Sequence, residues 1–203
     1  MNRDEAIEAL DLLRTVVGKA REDTAVQNWG ILWMLHGITN GAGFVATNWL
    51  LWQGQRTPAP YLALWLPIML FNLGSIPVLK RRRSGVRSFV EAQIWAIWTA
   101  FTGAVALMAF LNYFMGPDRV FLGPAIAVLA AVAFSSMASI VGSAWYGAAA
   151  LFATLAVVMS FLPEVQFVIL GVAWAATKLT AGWMLERAKR RRLARAPAAP
   201  EVV

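Results

Sequence analysis

The chain has no cysteine and a single histidine, His36, among its 203 residues. The first absence removes disulfides, thiolate metal sites and a cysteine nucleophile. The second means that a histidine-rich metal or haem site cannot be assembled from this chain alone. Charge is scarce: 14% of the residues are charged, where a soluble domain carries about a quarter. Residues 28–79 hold one arginine, Arg56, and no acid, and residues 120–163 hold no charged residue. There is no phosphate loop ending in Gly-Lys-Ser/Thr, no HExxH and no clustered pair of acids. Ser136 and His36 could be drawn as a nucleophile and its base, but nothing in their spacing supports that pairing. The chain therefore reads as non-enzymatic, with no cofactor, no metal and no nucleic-acid partner.

What is present is apolar sequence, 59% of the chain. A helix crossing a bilayer needs roughly 20 such residues. Six segments meet that pattern: 28–52, 61–79, 89–115, 120–141, 145–162 and 165–186. The breaks "QGQRTPAP", "KRRRSGVRS", "MGPDR" and "LPEVQ" collect proline, glycine and charge. The break "VGSAWYG" carries no charge, but 120–163 is too long for one helix of ordinary tilt, so a turn is expected there. The predicted fold is an all-α integral membrane protein with six transmembrane helices over 28–186. Residues 1–27 form a cytoplasmic segment with an amphipathic helix, and 187–203 form a basic, disordered cytoplasmic tail.

Orientation follows from lysine and arginine. Four lie in the N-terminal segment, five between Lys80 and Arg87, and six between Arg187 and Arg195. With six spans these segments share one side, which then holds fifteen, against Arg56 and Arg119 on the other. The positive side is the cytoplasmic one, so both termini are expected inside, in a bacterial-type cytoplasmic membrane. Tryptophans near the span ends fit an interfacial belt: Trp29, Trp33, Trp95, Trp98, Trp145 and Trp183 at one side, Trp49, Trp52 and Trp65 at the other. Arg81, Arg82, Arg83, Arg190, Arg191 and Arg192 suit anionic lipid headgroups. In the N-terminal segment Ile7, Leu10, Leu13, Val17 and Ala20 recur at helical spacing. Its four bases and six acids leave it at −2. An acidic helix suits a basic segment of its own bundle or a partner protein better than anionic lipid. "QNWGILWMLHG" and "QIWAIWTAFTG" share Gln, Trp and Gly at an offset of 66 residues, a hint of duplication.

One residue resists the topological account. Lys178 lies inside the sixth span. Counted from the cytoplasmic ends, His36, Asn72, Ser135, Ser136 and Lys178 all fall ~8–12 Å deep at 1.5 Å per residue. They form a candidate polar layer able to satisfy a buried cation. The other reading is that Lys178 snorkels toward the headgroups, past Gly182 and partway to Glu186. Gly37 and Gly41 form a GxxxG pair, and Gly171, Ala175, Lys178 and Gly182 share one stripe. Stripes of small residues are where membrane helices approach closely. Lys178 is thus expected to point into the bundle, within reach of a polar group.

Short outer loops and few intramembrane polar groups favour an accessory or regulatory module of a membrane-associated complex, acting through its cytoplasmic segments. The partners implied are the bilayer, another membrane or cytoplasmic protein, or a second copy of the chain. The rival reading is a small transporter or channel using His36, Asn72 and Lys178. The charge bias makes a direct prediction: a reporter fused after Val203 reads as cytoplasmic, and an external signal contradicts the six-span threading.

Overall fold

Glycine and proline set the helix ends. The computed structural model describes residues 29–79, 89–115 and 122–195, together with Ile7 and Leu12. Helix α1 (Trp29–Trp52) stops at Gly54, which has φ +72°. The Gly54 amide donates to Leu51 O and the Gln55 amide to Leu50 O, the paired bonds of a Schellman stop. Helix α2 (Pro58–Leu79) begins on a proline, earlier than residue 61, because the first helical position needs no N–H donor. Helix α3 covers Phe89–Met115 and α4 covers Leu122–Val141. The uncharged turn is real: Gly142 takes φ +148° and α5 (Trp145–Phe161) starts three residues later. A 3-10 turn at Pro163–Val165 leads into α6 (Gln166–Arg195). Among the described residues every regular element is helical.

Two sequence expectations meet the structure at the termini. The disordered tail does not begin at residue 187, because α6 continues to Arg195. Glu186 lies 4.0 Å from Lys189 and 3.7 Å from Arg190, pairs three and four residues apart that support a helix through its polar end. Leu, Ala, Lys and Arg are also strong helix formers. In the N-terminal segment Ile7 and Leu12 are helical and exposed. The rest of that amphipathic helix, Arg81, Arg82, Arg83 and residues 196–203 lie outside the described residues.

Among the described residues four helical segments are long and apolar enough to cross a membrane: Pro58–Leu79, Val90–Asn112, Leu122–Val141 and Pro163–Arg191. Helix α5 is apolar but has 17 residues. Helix α1 has 24 residues, diluted by four glycines, His36, Asn40 and Asn48.

Those glycines are where the bundle closes. Helix α1 packs most closely on α6, antiparallel to it. A methyl group on Gly30 would lie 2.6 Å from Gly182 O, and one on Gly41 would lie 2.9 Å from Gly171 O. One on Gly171 would lie 2.7 Å from Gly41 O. The backbones themselves touch, at a distance that only glycine permits. Helix α2 packs antiparallel to α1 on its other flank, through Thr39 to Asn72 and Thr47 to Trp65. Helices α4 and α5 form a tight hairpin whose buried members include Phe134, Met137, Phe152 and Met159. Helix α3 lies beside α1 in the same direction, Trp29 against Trp95 and Trp33 against Trp98. The two segments of the suspected duplication therefore meet at their tryptophans. Their matched glycines differ in use, since Gly37 is in contact with α6 and Gly103 has nothing within 4 Å.

The seam yields a paired prediction. Gly171→Ala drives a methyl group into a backbone carbonyl that cannot swing aside, and should cost about 1–3 kcal/mol. Gly103→Ala fills open space mid-helix and should be neutral or raise stability by about 0.5–1 kcal/mol. Thermal unfolding of both variants in detergent measures the contrast, and equal melting temperatures would contradict the seam.

Candidate functional site

Lys178 projects from the α6 face that meets α1. A Cβ on Gly37 would lie 2.6 Å from Lys178 Cβ, so the glycine on α1 makes room for the lysine stem. The residue is only 6% exposed. Its Nζ lies 3.4 Å from the ring centroid of Trp98 and 3.7 Å from that of Trp33. Trp174 and Phe134 stand farther out, at 5.3 and 5.7 Å. Four helices thus supply four rings: α1, α3, α4 and α6. The rings brace one another edge to face, with Trp98 crossing Trp33 at 89°, Trp174 at 87° and Phe134 at 80°. Trp145 backs the enclosure, 5.0 Å from Trp33 and stacked on Phe134.

The negative face of an aromatic ring attracts a cation, by about 2 kcal/mol or more when water is excluded. The enclosure around the amine is aromatic, and polar side chains do not form it. Among the described residues Lys178 makes no hydrogen bond and no ion pair. Glu186 is engaged with Lys189 and Arg190. Glu91, in the first turn of α3, is buried. Several tryptophans read as interfacial are turned inward by this arrangement. Trp29 and Trp33 are buried, whereas Trp49, Trp52 and Trp183 are exposed.

The predicted polar layer divides. His36 and Asn72 come together, joined by Thr39, Asn40 and Ser75. His36 Nε2 lies 3.2 Å from Asn72 O and 3.1 Å from Ser75 Oγ. Ser75 donates its own hydroxyl proton to Asn72 O, and a carbonyl can only accept. Nε2 must therefore be the protonated ring nitrogen. Thr39 donates to Asn72 Oδ1 at 2.7 Å, and Asn72 Nδ2 donates to Asn40 Oδ1 at 2.7 Å. This cluster ties α2 to α1, on the flank of α1 away from the seam. The two serines stand apart from it. Ser136 donates to Val132 O in its own helix, and Ser135 lines a groove of about 1020 Å³ between α4 and α5. That groove is otherwise formed by small apolar residues such as Ala125, Ala149 and Ala153. The packing glycines Gly37, Gly41, Gly171 and Gly182 all lie on the α1–α6 seam.

Sequence reasoning missed Asn48, which is 0% exposed. Its Nδ2 donates to Glu164 O at 2.9 Å, and its Oδ1 accepts from the Phe167 amide at 3.2 Å. Trp52 Nε1 donates to the same Glu164 carbonyl at 2.8 Å. Gln166, also missed, accepts from the Gly123 amide at the start of α4. These bonds satisfy helix-end groups that an apolar surround would leave unpaired. The cage had one visible signal: Trp174 stands four residues before Lys178, on the same helix face.

The α1–α2 cluster can be tested by itself. Asn72→Leu removes the acceptor for Thr39 and the donor for Asn40. Interhelical hydrogen bonds between membrane helices contribute about 0.6 kcal/mol each on average, so the variant should lose about 1–2 kcal/mol of stability. Thermal unfolding measures the loss, while the tryptophan fluorescence of the cage should keep its wavelength. No protein-family model matches the chain, and neither a curated protein nor a solved structure does.

Proposed function

We propose that this chain is a six-span protein of a bacterial-type cytoplasmic membrane with both termini inside. On this reading it catalyses no reaction and serves as an accessory or regulatory module of a membrane-associated complex. The threading is supported by the alternating direction of consecutive helices, and by the place of the basic segments in the sequence: before α1, between α2 and α3, and at the end of α6. The observation that carries the functional reading is the form of α6. It leaves the bundle and runs on as a basic helix to Arg195. Arg187, Arg190 and Arg191 are exposed on it, with the Arg187 guanidinium over the Trp183 ring at 5.2 Å. A rigid, cationic helix at a membrane surface presents charge in a fixed geometry to acidic partners and anionic headgroups. The acidic N-terminal segment is complementary to it and offers an internal competitor for the same surface.

The rival reading, a small transporter or channel, has to recruit His36, Asn72 and Lys178. His36 and Asn72 are bonded to one another's helices, and Lys178 is enclosed by rings, which favours the first reading. The two readings separate in experiment. A photo-crosslinking residue in place of Arg190 should capture a protein partner in native membranes. With the crosslinker kept at position 190, replacing Arg187 and Arg191 together by Gln should abolish capture without lowering the melting temperature. Solute flux through liposomes holding the purified protein, lost on Asn72→Leu, would instead establish the transporter.

A further inference from the structure

We propose that the rings of Trp33, Trp98, Phe134 and Trp174 are a binding site for alkylammonium cations, with Lys178 as its built-in occupant. Three observations carry this beyond a buried lysine that happens to touch aromatic residues. The first is enclosure. The amine has a ring centroid at 3.4 Å and another at 3.7 Å, with two more within 6 Å. Multiple faces around one nitrogen are how proteins recognise organic ammonium ions. The second is support. The edge-to-face contacts of Trp98 with three other rings fix the cage independently of the amine. The third is the lack of an anion. Among the described residues the Lys178 amine has no carboxylate and no hydrogen-bond acceptor, so the rings are its close partners. An ion pair would tie the lysine to one position. A cage of neutral rings releases it to any cation that fits better.

The site takes a primary ammonium on a short alkyl chain. Truncating Lys178 at Cβ removes Cγ, Cδ, Cε and Nζ, the skeleton of n-propylammonium. The same chemistry exists in a free alkylamine and in the ethanolamine headgroup of a phospholipid. On α6 the displaced lysine has Gly182 and then the basic end of the helix ahead of it, one to two turns away.

The test uses the full chain in detergent micelles. For Lys178→Ala, n-propylammonium chloride should shift tryptophan fluorescence saturably, with a midpoint of about 1 mM. At a hundredfold excess it should raise the melting temperature by about 5 °C. Sodium chloride and 1-propanol at matched concentrations should do neither, which separates cation recognition from the filling of a hole. In the wild type, the ammonium should raise the acetylation rate of Lys178 about threefold as the lysine is displaced, read by mass spectrometry. Phosphatidylethanolamine added to the micelles forms a separate arm of that measurement. A rise there and not with the free amine identifies the headgroup as the ligand source. The proposal is overturned if the vacated cage does not distinguish n-propylammonium from 1-propanol. It is equally overturned if both wild-type arms leave Lys178 acetylation unchanged. Should Lys178→Ala fail to fold, the wild-type arms decide alone.

Discussion

Where Gly41 faces Gly171, and Gly30 faces Gly182, the carbonyl of one helix lies against the Cα of the other. In an apolar surround no hydrophobic force pulls two helices together. Their association depends on how closely their atoms approach and on which polar groups they can share. Closeness along α1 and α6 is what places every other feature. It pushes the Lys178 stem past Gly37 and into the bundle interior. It brings Asn48 to the turn at Glu164. It leaves the opposite flank of α1 free to receive α2.

A lysine held inside a membrane helix faces three physical options, and their magnitudes differ. At the centre of a span a lysine costs about 2.5–3.5 kcal/mol to insert. An acid partner would offset that but must itself be desolvated, at several kcal/mol per ion. Snorkelling avoids the cost by extending the stem to water. Here the amine stays among rings, two of them in direct contact, each contributing about 2 kcal/mol when desolvated. Two such contacts are of the same order as the insertion cost on that scale, and they require no acid beside the amine.

Much of the helical layout is legible in the sequence, because helix ends are local chemistry. Gly54, Pro58 and Gly142 stop or start helices by their own backbone preferences, whatever lies nearby. The seam is legible for a similar reason, since small residues at spacings of three and four read as one face. The cage and the helix-end clasp are not local. Trp33 and Trp98 look like interfacial tryptophans until the rotation of α1 and α3 about their axes is known. Depth along the membrane groups Ser135 and Ser136 with Lys178, but depth does not specify which way a side chain faces. Ser136 turns back to its own helix. Asn48 shows no signal because its partners are backbone groups some 116 to 119 positions away in the chain. The helical run to Arg195 was obscured by composition: the basic residues that suggest a loose tail also stabilise the last turns of a helix through Glu186.

The pairing of α1 with α6 also dictates an order of events at the ribosome. Helix α1 has its best partner in α6, which is made after four intervening helices. Until α6 is made, Asn48 has neither Glu164 nor Phe167 to bond, and the glycine face of α1 has nothing to press against. His36, Thr39 and Asn40 find their partners in α2, the next segment out of the exit tunnel. Helix α1, too polar to count among the four clear spans, has most of its polar side chains bonded to α2. The bundle then stays open along one side through the synthesis of four helices, and locks only when the C-terminal helix slots into the waiting groove. A chain cut short before Gln166 keeps that side unsealed, with Asn48 and the glycine face of α1 left without the groups they meet in the finished bundle.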